Sequence, residues 1–573
     1  MFYCASPPQW MWWFSLIALV PLFTRLFYLQ SFREVFVLSL LFAFVLVFFC
    51  FHWVSQVAIN FGGMPWIASK LVLCGFALFA EFQFVLLSLG LFWLYKKYKN
   101  IKILFVAPFI YVSLDFLYPK IFPNTIGFLL YPWNEFSQIA EFTGMYGLTF
   151  VILFINSLIS WIFLNLRQSK KNFLQFAAVL FGTTVVLIFC HQWGKKRLEF
   201  LSNLEKSFTK NFKVSLIQGN IGDIDKLSAL GGSTPAIDLA LNTYKKMTLE
   251  TIKRYSPDLV VWPETAYPLL YTHFQDEYAN LSHAARDDWI KSLMEEIKTP
   301  LFFGGYFAIR HDLSHSHQDS SRPDGTRSRH YPSPRHRVDP SPKLQVGARH
   351  VPAPDVNNLA QKTSRSQDYN SIFLLVPPHE LIGTYQKSIL LAFGEYVPLG
   401  PFSGFVQDLI PAIASFGRGN GPTVMELKAK NIKISPQICY EGIYPEHSRQ
   451  SVLLGADVLI NITNDSWFGP TGEPWYHLVL TAFRSIELRR PLVRATNTGV
   501  SAIIGITGQV VQKTEIFSPA ILEAELALAS QPELWPQTFY LKHGEWFPKL
   551  CILLSLLFFT AIMFDCFYIK SAS

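Results

Sequence analysis

Charged residues are scarce in this chain of 573 residues, and long apolar runs take their place. Asp, Glu, Lys and Arg make up 16% of the sequence, hydrophobic residues make up 50%, and the mean hydropathy is +0.25. This composition excludes a disordered, fibrous or collagen-like chain. It also disfavours an ordinary soluble protein, because the Phe-rich runs are concentrated in the first 200 residues.

Cysteine is sparse too, with seven residues and no Cys-x-x-Cys pair. This pattern disfavours a disulfide framework, and it predicts neither a metal site nor another cofactor. Five cysteines lie in apolar stretches, where cysteine is usually a small buried hydrophobe: Cys50, Cys74, Cys190, Cys551 and Cys566. Cys439 alone lies in the polar middle of the chain, so it is a candidate functional residue.

Seven apolar runs are long enough to cross a hydrocarbon core of ~30 Å, which needs ~20 residues. They lie at about 10–29, 34–54, 67–94, 101–118, 145–165, 173–192 and 546–568. Basic loops at Arg33, 96–102 and 167–171 fall on one side, which the positive-inside rule makes cytoplasmic. The sequence therefore predicts a transmembrane bundle over 1–195, a C-terminal transmembrane helix over 546–568, and a middle region outside the cytoplasm.

The net charge of +8 is modest, and much of it lies in clusters beside these runs. It indicates orientation in a membrane and not nucleic-acid binding. The N-terminus has no basic region and no A-x-A site, so no cleaved signal peptide is predicted. Six leading spans put the uncharged N-terminus outside, and the basic residues 195–197 are a mild violation of the orientation. A missing or shortened first helix is one explanation.

The middle region, over 208–530, alternates strand-like runs with helical stretches such as 236–255 and 286–298. The strand-like runs are 213–218, 258–262, 301–305, 371–376, 432–437 and 458–462. This alternation predicts a layered α/β fold. Residues 311–367, rich in Ser, Pro, Arg, His and Asp, predict a disordered surface insertion. Metal binding by its clustered histidines is the alternative: His311, His315, His317, His330 and His336.

Three polar residues stand at the ends of strand-like runs in this region: Glu264, Lys387 and Cys439. Taken alone, each has a bland interpretation, as an exposed turn carboxylate, a snorkelling lysine or a small buried core residue. Together they supply a base, a cation and a nucleophile. That set suits acyl transfer, in which a thiolate attacks a carbonyl, an oxyanion forms and a thioester follows.

The order of these three residues resembles the Glu-Lys-Cys triad of the nitrilase, or carbon–nitrogen hydrolase, superfamily. The membrane-spanning frame resembles its apolipoprotein N-acyltransferase branch, and this resemblance covers nearly the whole chain. The matching segments are 132–133, 144–148, 212–221, 262–265, 393–398, 439–441, 464–469 and 494–499. The resemblance implies an extracytoplasmic α-β-β-α sandwich joined to a polytopic helical bundle. The branch usually has eight spans, and the missing one belongs at the N-terminus.

The resemblance also implies a reaction. Glu264 is the base, Lys387 stabilises the thiolate and the oxyanion, and Cys439 is the nucleophile. A fatty acyl chain passes from a membrane phospholipid, through a thioester, to the α-amine of S-diacylglyceryl-cysteine in apolipoproteins, with ping-pong kinetics. The implied protein is a monomer in the bacterial inner membrane, with its catalytic domain on the periplasmic side.

Further residues receive supporting roles. Glu395 is expected to position Lys387 or Glu264, Glu441 to shape the turn at Cys439, and the Tyr440 backbone N–H to donate to the oxyanion. Candidates for substrate or lipid binding are the aromatic residues Trp133, Trp467 and Phe468. The alternatives are satisfied ion pairs for the two glutamates and core packing for the aromatic loop. Residues 399–422, apolar with glycine hinges, predict a membrane-dipping arm or a lid.

Three other functions compete with acyl transfer. A membrane-anchored amidase would use the same triad on small amides, although one anchor would then suffice. A transporter with an appended domain would need functional charges within its spans, and Asp115, Glu81 and Glu141 are the few candidates. A binding-only relative is opposed by the intact triad.

Overall fold

The computed structural model describes all residues except 61, 169–172, 223–232, 270, 272–280, 312–364, 399, 401–414 and 572–573. The predicted insertion, its histidines other than His311, and most of the predicted arm at 399–422 therefore lie outside the described residues. Helices of seven or more residues are Val20–Leu26, Phe32–Cys50, Trp53–Asn60, Trp66–Phe79, Gln83–Tyr98, Ala107–Leu117, Met145–Gln168, Phe173–Lys206, Thr234–Tyr255, Leu281–Ile297, Pro445–Leu453, Glu473–Leu488 and Trp546–Ser571.

Five stretches of helix among the described residues are long and apolar enough to cross a membrane. They are Phe32–Cys50, Trp66–Tyr98, Met145–Leu166, Gln175–Lys206 and Trp546–Met563. The predicted spans at 10–29 and 101–118 differ, because each is divided between a short 3₁₀ helix and a short α-helix. A proline at the start of each α-helix, Pro21 and Pro108, explains the division. Proline has no N–H to continue a preceding helix, and it is favoured in a first turn.

The middle region forms two six-stranded sheets. The strands are β1 Lys210–Gln218, β2 Leu259–Val261, β3 Leu301–His311, β4 Arg365–Val376, β5 Glu380–Gln386, β6 Met425–Leu427, β7 Ile432–Ile438, β8 Val458–Thr463, β9 Leu492–Thr496, β10 Ala502–Ile504, β11 Val510–Lys513 and β12 Ala520–Leu528. Their orders are β12-β1-β2-β3-β4-β5 and β11-β10-β9-β8-β7-β6. In each sheet three neighbouring parallel strands, β1-β2-β3 or β9-β8-β7, are flanked by antiparallel ones.

The two sheets pack face to face, with helices on their outer faces. Leu216 and Phe302 of the first sheet share one buried core with Ile434 and Ile460 of the second. Helices Thr234–Tyr255 and Leu281–Ile297 cover the first sheet, and Pro445–Leu453 and Glu473–Leu488 cover the second. The predicted α-β-β-α sandwich joined to a helical membrane bundle is therefore confirmed.

All six predicted strand runs are present, and β3 and β4 exceed the predicted runs by the most. β3 and β4 pair antiparallel from Leu301 and Leu375 to His311 and Arg365, so the segment 312–364 joins the two ends of a hairpin. Lys387 directly follows β5, Cys439 directly follows β7, and Glu264 lies three residues beyond β2. The strand ends therefore carry the three candidate residues into one region between the sheets.

Candidate active site

Glu264, Lys387 and Cys439 converge in a buried site, where their exposed fractions are 6%, 1% and 8%. The Lys387 Nζ lies 3.5 Å from the Glu264 Oε1. The charges of Glu264 and Lys387 both act on the Cys439 thiol. A carboxylate, an ammonium and a thiol therefore share one pocket from which water is largely excluded.

The thiol of Cys439 is protonated at rest. Burial and the negative charge of Glu264 raise its pKa well above the ordinary value, and the charge of Lys387 opposes them. The residue also has a positive φ of 50°, at the junction of β7 with a 3₁₀ helix, Cys439–Ile443. A non-glycine residue in this left-handed region is strained, and such strain is typical of functional sites.

Lys387 is a permanent cation. Burial acts to lower its pKa, but the charges of Glu395, Glu264 and Cys439 outweigh burial and raise the pKa well above the ordinary value. Its Nζ donates to the Glu395 Oε1 at 2.9 Å. The lysine is therefore held between two carboxylates and cannot serve as a proton donor near neutral pH.

Hydrogen bonds fix both carboxylates. The Glu264 Oε1 accepts from the Asn370 Nδ2 at 2.7 Å, and its Oε2 accepts from the Asn464 backbone N–H at 2.9 Å. The Asn370 Nδ2 also donates to Glu395 at 3.0 Å, and the Leu391 N–H donates to the other Glu395 oxygen at 2.8 Å. Glu395 thus contacts Lys387 directly and is linked to Glu264 through Asn370. Asn370 was not among the predicted site residues, because a lone asparagine in a strand carries no motif.

Glu441 ties the turn at Cys439 to the loop that carries Lys387. Its Oε2 accepts from the Ile438 N–H at 2.8 Å. Its Oε1 accepts from the Tyr385 hydroxyl at 2.6 Å and from the Ser388 N–H at 2.7 Å. The carboxylate therefore joins the two loops on either side of the site.

The aromatic candidates lie at the boundary with the membrane bundle. The Tyr440 hydroxyl donates to the Ile121 carbonyl. Phe468 packs edge-on against Trp53 at 5.3 Å, and the Trp467 carbonyl accepts from the Asn60 Nδ2 at 3.3 Å. These contacts fasten the loops of the α/β domain to the bundle.

Trp133 lies within the membrane half. It stacks on Trp12 at 5.0 Å and on Phe136 at 4.5 Å, and its Nε1 donates to the His191 Nδ1 at 3.1 Å. The contacts described for Trp133 do not include Glu264, Lys387 or Cys439.

A cavity of about 320 Å³ lies at the same boundary. Aromatic side chains from both halves line it, among them Phe51, Trp53, Phe128, Trp475 and Tyr476. The neighbour of Tyr476, His477, contacts the carbonyl oxygen of Cys439. The cavity wall is therefore one residue along the helix from a side chain that contacts the Cys439 carbonyl, and polar side chains such as Glu81 and Asn124 also line the cavity.

Apolar helices long enough to span a membrane, joined to an α-β-β-α domain, define the class of this chain as a membrane protein with a nitrilase-like domain. The sequence model described as "Carbon-nitrogen hydrolase" matches residues 351–533, and the one described as "Apolipoprotein N-acyltransferase N-terminal domain" matches 1–158.

Curated relatives make the assignment more specific. The chain is 30% identical over 516 residues to "Apolipoprotein N-acyltransferase" of Bdellovibrio bacteriovorus, covering 88% of this chain and 81% of the relative. It is 29% identical over 512 residues to the protein of the same name from Geobacter metallireducens, covering 87% and 82%. The chain belongs to the apolipoprotein N-acyltransferase family, and it is an integral protein of the bacterial inner membrane.

Among solved structures, an amidase from Nesterenkonia sp. AN1 is similar at 15% identity and a TM-score of 0.34. The match covers 58% of this chain and 94% of the amidase chain. This likeness is too distant to bear on the activity.

Proposed function

We propose that the chain transfers a fatty acyl group from a membrane phospholipid to the N-terminal α-amine of S-diacylglyceryl-cysteine in apolipoproteins, through a thioester on Cys439. The convergence of Glu264, Lys387 and Cys439 in a buried site beside the membrane bundle carries this proposal. Family membership supports it, since relatives over most of the chain are named for N-acylation of apolipoproteins. The chain is thus an acyltransferase of lipoproteins.

The first half-reaction forms the thioester. Glu264 takes the proton of the Cys439 thiol, and the thiolate attacks the ester carbonyl of the phospholipid. Lys387, which is always charged, stabilises first the thiolate and then the tetrahedral oxyanion, together with the Tyr440 N–H. The C–O bond breaks, Glu264 returns the proton to the leaving oxygen, and a lysophospholipid departs.

The second half-reaction forms the amide. The acceptor α-amine attacks the thioester, Glu264 accepts a proton from the amine, and the C–S bond breaks to restore the thiol. The two products leave in sequence, so the kinetics are ping-pong. Water must be excluded while the thioester persists, which agrees with the low exposure of all three residues.

The surroundings of the site are part of the proposal. Trp467 and Phe468 face acyl chains at the bundle boundary, and Trp133 contacts lipid within the bundle. The α/β domain lies on the periplasmic side, and the chain acts as a monomer without nucleic acid. Protease accessibility in intact spheroplasts tests the orientation, and light scattering of the purified protein in detergent tests the monomer.

Intact-mass spectrometry after incubation with phospholipid vesicles tests the chemistry. An added mass of one fatty acyl group, removable by neutral hydroxylamine and absent in Cys439→Ser, is the expected result. No adduct on the wild-type protein, with no lysophospholipid released, would contradict a phospholipid donor and return attention to hydrolysis of small amides.

A further inference from the structure

A closed ring of hydrogen bonds begins and ends on the carbonyl oxygen of Cys439. The Asn461 Nδ2 donates to that oxygen at 3.0 Å, and the Asn461 Oδ1 accepts from Arg494 at 2.6 Å. Arg494 donates to the Asp465 Oδ2 at 3.0 Å. The Asp465 Oδ1 lies 3.2 Å from the His477 Nδ1, and the His477 Nε2 lies 3.3 Å from the Cys439 oxygen. All five residues are buried.

The ring acts on a strained part of the backbone. Cys439 has a φ of 50°, and its carbonyl group is part of the peptide unit that follows. Two donors on that oxygen, from β8 and from helix Glu473–Leu488, set the orientation of the peptide unit. Because side-chain direction depends on backbone conformation, the ring also determines where the thiol lies.

The two contacts of the His477 ring require different hydrogens. A carbonyl oxygen and a carboxylate both accept, so only a ring with hydrogens on both nitrogens makes both contacts. Burial and the charge of Arg494 lower the pKa of His477 below its ordinary value, and the Asp465 carboxylate opposes that fall. Glu473, with an Oε1 3.9 Å from the Nδ1, also faces the ring. The neutral ring keeps one of the two hydrogen bonds, and the variants below test the one from Nε2 to Cys439.

Asp465, Glu473 and His477 also have ligand atoms within 4.8 Å of one another. The guanidinium of Arg494 already pairs with Asp465 at 3.0 Å and supplies the positive charge that a metal ion would bring. The donor set therefore fits a hydrogen-bonded ring better than a cation site.

We propose that His477 is a positioning residue for Cys439: its Nε2–H and the Asn461 amide together hold the nucleophile's carbonyl, and through it the thiol, in the reactive orientation. This inference rests on the proposed role of Cys439 and assigns His477 a role that acts through the backbone of the nucleophile. The sequence offered a faint signal, a histidine four residues after a glutamate in a helical stretch.

Two variants that differ in reach separate this role from simple packing. In His477→Gln the amide nitrogen takes the place of Nε2 and still donates to Cys439. In His477→Asn the shorter amide reaches the place of Nδ1, so the contact with Cys439 is lost. The matched control is Ser485→Ala on the same helix, which removes a buried hydroxyl that has no hydrogen-bond partner.

Two rates are measured on the full-length protein in detergent: thioester formation with phospholipid, and iodoacetamide alkylation of Cys439 followed on its peptide. Loss of one hydrogen bond should slow both about tenfold in His477→Asn. His477→Gln and Ser485→Ala should stay within about threefold of the wild type, and the Michaelis constant for phospholipid should not change.

Equal rates for the Asn and Gln variants overturn the inference, and so does a slowing that tracks the thermal unfolding midpoint. A different result would contradict the proposed function. A wild-type protein that forms no thioester, while alkylation still distinguishes Asn from Gln, would contradict the acyl transfer and leave the positioning role in place.

Discussion

At the scale of single residues, two charges of opposite sign act on the pKa of the Cys439 thiol. Burial raises the pKa of Cys439, the charge of Glu264 raises it further, and the charge of Lys387 lowers it. The net result is a protonated thiol beside a permanent cation. Such a site is inert until a base removes the proton, which protects the nucleophile from adventitious reaction.

Replacing the cation should make the thiol harder to ionise. In Lys387→Met the pKa of Cys439 rises further. At a fixed pH below the pKa, the thiolate fraction falls about tenfold for each unit by which the pKa rises. The alkylation rate of Cys439 should therefore fall, and its pH profile should move to higher pH. Lys291→Met, which replaces an exposed lysine, is the matched control and should leave the profile unchanged. An unmoved profile in Lys387→Met would contradict the electrostatic role.

Replacing the base should act in the opposite sense on the two reactions. In Glu264→Gln the negative charge disappears, so the pKa of Cys439 falls and alkylation at a given pH should become faster. Thioester formation should nevertheless fall by about 10²-fold or more, because general-base catalysis is lost. The two rates are measured on one preparation by peptide and intact-mass spectrometry. Retained thioester formation would remove Glu264 from the mechanism.

At the scale of elements, the site lies at the ends of several strands, and β3 packs against the loop that carries Glu264. A Cβ on Gly304 would lie 2.8 Å from the Glu264 Cα, 2.9 Å from the Pro263 carbonyl and 2.8 Å from the Ile462 Cδ1. A glycine in mid-strand usually weakens a sheet, and it is found where another backbone approaches closely. The loop that carries Glu264 makes such an approach here.

Alanine at this position should displace that loop. Gly304→Ala should cost about 1–3 kcal/mol of stability, because overpacking forces a backbone shift. It should also lower kcat/KM by moving Glu264 away from the thiol. Gly305→Ala is the neighbouring control, since its Cβ would lie 3.3 Å or more from the nearest atom. Thermal unfolding and acyl-transfer assays compare the two, and equal effects would contradict the contact.

At the scale of the whole molecule, a buried ion pair joins the bundle to the α/β domain. Arg489, at the end of helix Glu473–Leu488, donates to Glu141 at 2.6 Å and to Gln138 at 2.8 Å. Arg197, in the last turns of the long helix Phe173–Lys206, donates to the same carboxylate at 3.0 Å. Burial lowers the pKa of Arg489 to about 10, and Glu141 opposes that fall.

Removing the shared carboxylate should loosen this junction. Glu141→Gln should destabilise the protein by about 3–5 kcal/mol, because it leaves Arg489 charged and buried without its partner. Glu296→Gln, which breaks the exposed pair with Lys245, should cost about 0–1 kcal/mol. Thermal unfolding in detergent measures both. Similar losses of stability in the two variants would show that Glu141 is not a structural link between the bundle and the α/β domain.

The predicted boundary between bundle and domain stays a prediction, for a physical reason. Helix Phe173–Lys206 runs from the membrane half to within four residues of β1, so no linker marks a division. The predicted span at 10–29 failed as a single helix because hydropathy does not register where Pro21 interrupts the hydrogen bonds. Strands β6 and β9 to β12 were not predicted, since short strands give little periodicity to detect.

By itself the amino-acid sequence indicated apolar helices at both ends of the chain, a layered α/β middle region, six strand runs and the three candidate residues. These depend on local patterns of polarity and on which residue follows which strand. The tertiary structure alone decided their partners. Asn370 joins two glutamates that are 106 and 25 residues away from it, and the ring through His477 joins the turn after β7 to β8, β9 and a helix. Such contacts depend on distances between strands of a folded sheet, which no local pattern records.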